Sequence, residues 1–258
     1  MITAPVLPLL IPFLLIFTRI SSTLLLLPSF SLVTGSLRIK LLLSAMAAFL
    51  LTPIYIRGDL VSVTSGQLLF MFESELLLGF ACGLSGRLVI SGLHMGGQLI
   101  GQVSGITLSE FTLADETTTT IHGRLLVLIG ISSFLVMGGH RQVVQALLDS
   151  FQFVSPGAIL PATPLADLLR DTGGLAFQLS VRITAPILLA MLTALIAVAM
   201  LNRTLPQLNI MAIGHNLNAL LLFVVLLFSV GGIAWVFQDQ MVVALEHMQQ
   251  VLRNAATT

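Results

Sequence analysis

The feature that most constrains this chain is a succession of long apolar runs with very few charges inside them. The first runs from Val6 to Val33 and is interrupted by Pro8, Pro12, Arg19 and Pro28. After Arg38 and Lys40 a second run covers Leu41 to Ile56, and a third, Leu68 to Ile90, contains Glu73, Glu75 and Arg87. A glycine-rich stretch continues to Gly105, and a short run spans Leu125 to Met137. Leu175–Leu201, with Pro186, and Ile210–Phe237 are the last two. A membrane helix needs about 20 mostly apolar residues, so these runs predict five to seven hydrophobic helices. Only helices and closed barrels satisfy their backbones in hydrocarbon, and barrel strands would alternate polar with apolar residues. No such alternation occurs, so the expected class is all-α: a multi-helix membrane protein with kinked hydrophobic helices, helical hairpins and amphipathic helices.

Composition supports this. Apolar residues make up 56% of the 258 and charged residues 9%, where a soluble domain carries about 25% charge. Eleven basic and eleven acidic side chains balance, which leaves no polycationic face for nucleic acid. Cys82 is the single cysteine and excludes a disulfide framework. The first basic residue is Arg19, which argues against a cleaved signal peptide. Tyr and Trp occur once each, so the usual interfacial aromatic belt is thin. Basic residues between the runs do not sort to one side, and no orientation follows from them.

Amphipathic spacing appears twice. Val143, Val144, Leu147, Leu148 and Phe151 share a face within Gln142–Phe153, as do Met241, Leu245, Met248 and Leu252 in the tail. Thr163-Pro164 followed by Asp167 reads as a helix start. The chain is expected to be one domain, with Ser155 to Pro164 as its best internal boundary.

Three groups of residues could carry function. Glu73 and Glu75 lie inside an apolar run, where an acid faces a wet cavity or a partner. An ion relay is one reading. Packing against protein, near an interface or beside an arginine, is the favoured one, because the other acids sit in polar stretches. The glycines form the second group: Gly79 and Gly83, Gly92 and Gly96, then Gly97, Gly101 and Gly105. Small residues four apart let helix backbones approach closely, and Gln98 and Gln102 beside them can hydrogen-bond across a helix pair. We read them as a helix-packing seam. The third group is Gly105–Ile121, which is too polar to cross lipid. It is either an exposed loop or a constriction buried in protein.

Gly83-Leu84-Ser85-Gly86 raises a rival, a rhomboid-like intramembrane serine protease with His140 or His215 as base. Four common residue types in a glycine-rich helix make this a weak motif. The five histidines show no metal-ligand spacing. A secondary transporter or proton channel, another rival, would place acids on several spans and show an internal repeat, and neither is visible. We expect no enzymatic activity and no cofactor.

The order of these features resembles the FliR/SctT family of export-gate subunits in flagellar and virulence type III secretion systems. Arg19, then Pro28, then Arg38-x-Lys40 is similar to its opening helix and basic turn. Glu75-x-x-x-Gly79-x-x-x-Gly83 matches its acid-and-glycine helix, and Gly97-Gln98-x-x-Gly101-Gln102 before Gly105 its glycine–glutamine seam. Gly139-His140, Leu147, Ser150-Phe151 and Pro156-Gly157 are similar to its central block. Ala185-Pro186 and Arg203-x-x-Pro206-Gln207-x-Asn209-Ile210 resemble its C-terminal signature. The chain departs from the pattern at Asp115-Glu116, where an Asp-Pro step is usual. It also has one extra residue between Gln102 and Gly105, and His215-Asn216 in place of an apolar-Pro pair.

The resemblance implies a core subunit of the bacterial inner membrane. It would assemble with P and Q export-gate subunits (FliP and FliQ in flagella) around a channel for unfolded exported proteins. It assigns Ile106, Leu108, Phe111 and Leu113 to the plug. It also implies a P-like part, 1–155, and a Q-like part, 156–258. The Arg203 to Ile210 string reads closer to the flagellar branch.

Overall fold

The computed structural model describes residues 7–27, 36–55, 65–104, 121–159, 162–204 and 210–255. Among these residues every regular element is a helix: α1 Leu7–Leu26, α2 Leu37–Tyr55, α3 Ser65–Ser104, α4 Ile121–Val136, α5 Gly139–Phe153, α6 Ala162–Thr204 and α7 Ile210–Ala255. Among the described residues four helices, α2, α3, α6 and α7, are long and apolar enough to cross a membrane, and α4 with α5, bent by 72° at their junction, makes a fifth if the pair is one span. The chain is thus an all-α, multi-helix membrane protein.

Several stretches that read separately in the sequence are continuous. The third apolar run and the glycine-rich stretch are one 40-residue helix, α3. The helix start at Thr163-Pro164 leads without a break into the Leu175–Leu201 run, giving the 43 residues of α6. The amphipathic tail is the end of the 46-residue α7. Glycine costs up to about 1 kcal/mol in a helix interior relative to alanine. In α3, packing against neighbouring backbones offsets that cost, so the glycines do not end the helix.

Contacts divide the chain into two units. The first comprises Met1–Leu88, Gly138–Gly173 and Met241–Thr258; the second comprises Val89–Met137 and Gly174–Gln240. In the first unit, Ile16, Ile20 and Leu24 of α1 pack with Ala48 of α2 and Phe151 of α5. A second cluster joins Leu78, Ala81 and Cys82 of α3 to Ala146, Val154, Leu165, Leu168, Met248 and Leu252.

Helix α2 is inverted relative to a soluble helix. Its buried positions are Ser44, Ala48 and Thr52, four apart, and the hydroxyls of Ser44 and Thr52 donate to carbonyls of their own helix. Its exposed face carries Leu42, Met46, Phe49, Leu50 and Ile54. Small residues inward bring the backbones together, and large apolar residues outward suit an apolar medium.

In the second unit, Leu179, Ile183, Ile187 and Met191 form the buried row of α6, and Leu222, Leu226, Ile233 and Phe237 that of α7. An exposed ion pair, Arg182 to Asp239 at 3.4 Å, links these two helices.

Candidate functional site

The most elaborate polar constellation lies in the core of the first unit, where Arg19 of α1 meets Glu75 of α3. Their side chains are 0% and 1% exposed. Arg19 donates from Nε to Glu75 Oε2 and from Nη2 to Oε1 at 2.8 Å. This two-point geometry fits a planar guanidinium to a carboxylate. Nη1 donates to the backbone oxygens of Ser150, 3.1 Å, and Val154, 3.0 Å. At the end of α5 a side chain from another helix thus reaches two carbonyls: Ser150 O, which also accepts the backbone N–H of Val154 within the helix, and Val154 O just beyond it. The positive charge also suits the negative end of the α5 dipole.

The surroundings complete the arrangement. The Arg19 guanidinium stands 4.4 Å from the ring centroid of Phe151. Glu75 Oε1 also accepts from the backbone N–H of Gly157, 2.8 Å. Gly157 adopts a left-handed conformation, φ 85°, which glycine takes without a Cβ penalty. Ser74 donates to Ala158 O at 2.9 Å, so adjacent α3 residues both hold the turn after α5. Glu73 is exposed and takes no part.

The glycines of α3 allow these groups to meet. A Cβ on Gly79 would stand 2.5 Å from Arg19 O, and one on Gly83 would stand 2.7 Å from Thr23 O. Thr23 Oγ1 donates to Arg19 O, 2.8 Å, and to Gly79 O, 3.2 Å. Gly79 and Gly83 therefore seat α1 directly on α3.

In the second unit the remaining glycines serve two further helices. A Cβ on Gly92 would collide with the carbonyl of Ala176 in α6, and one on Gly96 would press on Thr184 at 3.1 Å. On a different face, Gly97 meets the backbone of Gly123 in α4. Gly101 is buried, Gln98 half-buried and Gln102 exposed. The spacing treated as one seam in the sequence thus seats three helices: α1, α6 and α4.

Ser85 is buried and donates its hydroxyl to Cys82 O, 2.8 Å, while His140 is exposed. Among the described residues no group of three or more His, Cys, Asp or Glu could hold a metal ion. Gly105, the plug residues Ile106, Leu108, Phe111 and Leu113, and the signature residues Pro206, Gln207 and Asn209 lie outside the described residues. Arg203 is exposed in the last turn of α6.

In the sequence Arg19 stands out as an interruption of the first run, as the first basic residue and as part of the opening pattern. The signal for its role was an opposite charge, Glu75, in another run. Residues from separate strings of the pattern converge here: Arg19, Glu75, Gly79, Gly83, Ser150, Phe151 and Gly157. The description "Bacterial export proteins, family 1" matches residues 10–243. The chain belongs to this family.

This bacterial export protein is similar to the flagellar biosynthetic protein FliR of Escherichia coli (strain K12), 28% identical over 183 residues, 70% of this chain and 69% of the relative. It is 27% identical over 226 residues, 85% of each chain, to the FliR of Aquifex aeolicus (strain VF5). It is also similar to the secretion system apparatus protein SsaT of Salmonella typhimurium, 27% over 161 residues and 62% of each chain.

Proposed function

We propose that this protein is a core membrane subunit of the flagellar type III protein export gate, lining and plugging the channel through which unfolded substrates cross the inner membrane. The observation that carries this reading is the alignment with FliR proteins over up to 88% of the chain. In this reading P and Q subunits cover part of its exposed apolar surface. The apolar side chains of Ile106, Leu108, Phe111 and Leu113 close the passage, because a narrow apolar neck excludes water and ions. Residues 1–155 form a P-like part and 156–258 a Q-like part. The work is gating rather than bond chemistry. The glycine seats belong to subunit construction, and the Arg19–Glu75 centre holds the subunit in the form that assembles.

The similarity to SsaT favours a second reading, a subunit of a virulence secretion apparatus. Expression in a motile bacterium lacking its own FliR separates the two. Restored swimming, with the chain co-purifying with P and Q subunits, supports the flagellar reading. Co-purification without swimming, together with restored effector secretion in an SsaT-deficient strain, supports the second. A chain that purifies alone from native membranes and restores neither activity sinks both.

A further inference from the structure

We propose that the groove between α5 and the tail of α7 receives a lysine or arginine side chain from a neighbouring subunit of the assembled complex. That the neighbour is a subunit rests on the export reading; the chemistry of the groove does not.

Helix α5 and the part of α7 from Met241 onward both belong to the first unit. Gln249 Nε2 donates to Asp149 Oδ2, 2.9 Å. Four residues further along each helix, the Arg253 guanidinium stands 4.9 Å from the ring centroid of Phe153. The contacts advance in the same direction, so α5 and the α7 tail run parallel. The groove between them holds about 230 Å³, below the roughly 300–1,000 Å³ of clefts that take a drug-sized ligand. It suits a single side chain.

Its lining joins two chemistries. Ala146, Val242 and Leu245 are apolar, and Val242 is 41% exposed. Asp149 and Glu246 carry negative charge, and Gln249 fixes the Asp149 carboxylate. Among the described residues no Lys, Arg or His lines the groove, and neither acid takes part in an ion pair. The nearby cations of α7 are committed elsewhere. Arg253 lies on Phe153, and His247 turns to Asp171, 3.0 Å.

Lysine and arginine combine an apolar stem with a charged head, which is the pattern the lining offers. A phospholipid headgroup or a nucleotide would bring a phosphate to two acids and no cation. A hydrated divalent cation would gain nothing from the apolar part. An exported chain has to slide, and a carboxylate grip on one side chain would hold it back. A resident subunit stays in place, so the grip suits it.

The test uses the full chain co-expressed with P and Q subunits in native membranes, with a benzophenone amino acid at Gln145, an exposed position on the groove. Irradiation should join it to another subunit, at a peptide that contains a lysine or arginine. Asp149→Asn/Glu246→Gln should lower the yield of assembled complex by about tenfold or more. Glu73→Gln, an exposed acid outside the groove, should leave the yield unchanged. Glu246→Lys, combined with glutamate in place of the cross-linked cation, should recover it. The cross-link is read with both acids intact, so it decides the matter even where the neutralised variant fails to fold. A cross-link to lipid, to an exported substrate or back into this chain overturns the inference, as does a normal yield of complex from the neutralised variant. If complexes form while the groove stays unjoined, this inference fails alone; if the chain purifies with no other subunit, the export reading fails with it.

Discussion

Arg19 and Glu75 stand 56 positions apart in the chain and form a two-point ion pair from which solvent is excluded. Glu75→Gln keeps the shape of the site but leaves the guanidinium without a counter-charge. Breaking a buried pair from one side costs about 3–5 kcal/mol. The unfolding midpoint in detergent should fall accordingly, and the yield of assembled complex with it. Exchanging the two residues should not restore stability. The guanidinium would then start from α3, and Ser150 O and Val154 O would lose the donor that Arg19 supplies. A double exchange as stable as the parent would refute this account.

Gly157 supplies the other donor to Glu75 from a left-handed backbone. Gly157→Ala places a Cβ in that conformation at a cost of roughly 1–2 kcal/mol. Because both residues act on one carboxylate, Gly157→Ala and Glu75→Gln should combine non-additively, and a double-mutant cycle measures the coupling. Strict additivity would separate the turn from the ion pair.

Glycines of α3 and α7 should respond oppositely to alanine. Gly79→Ala forces a methyl against Arg19 O, and overpacking of this kind costs about 1–3 kcal/mol. Gly231 has nothing within 4 Å of its Cβ position. Gly231→Ala should therefore be neutral or stabilise by up to about 1 kcal/mol through helix propensity. Thermal unfolding of the two variants side by side checks the difference in sign.

Ser85→Ala removes a hydroxyl donated only within its own helix turn, to Cys82 O. Export by a complemented strain should be unchanged, and a serine-directed probe should leave the wild-type chain unlabelled. Loss of export with normal protein levels, or labelling at Ser85, would revive the hydrolytic reading.

For the proposed gate, deleting Leu108–Leu113 should raise ion leakage through assembled complexes while leaving their yield intact. Conductance across planar bilayers reads the first and co-purification the second. An unchanged leak would count against the plug assignment.

The sequence makes the helical class and the unusual position of Glu75 visible, because both follow from local hydropathy. The partner of Glu75 is not visible, since a pairing across 56 residues depends on how α1 lies on α3. The glycine spacing shows that backbones come close. It does not show that Gly79, Gly92 and Gly97 serve three different helices, because the period repeats along α3 while the neighbour changes. Helix ends are the least legible feature of the sequence. The amphipathic tail reads as separate from the last apolar run because its hydropathy changes, although nothing between Phe237 and Met241 stops α7.

The end of α5 is finished by a side chain 131 positions earlier in the chain. α1 and α3 are synthesised before α5, so Arg19 and Glu75 precede the last of their partners, the carbonyls of Ser150 and Val154 and the N–H of Gly157. The turn at Ser150–Gly157 therefore closes onto a waiting socket, and a chain cut short before it would carry a charged pair with an open side.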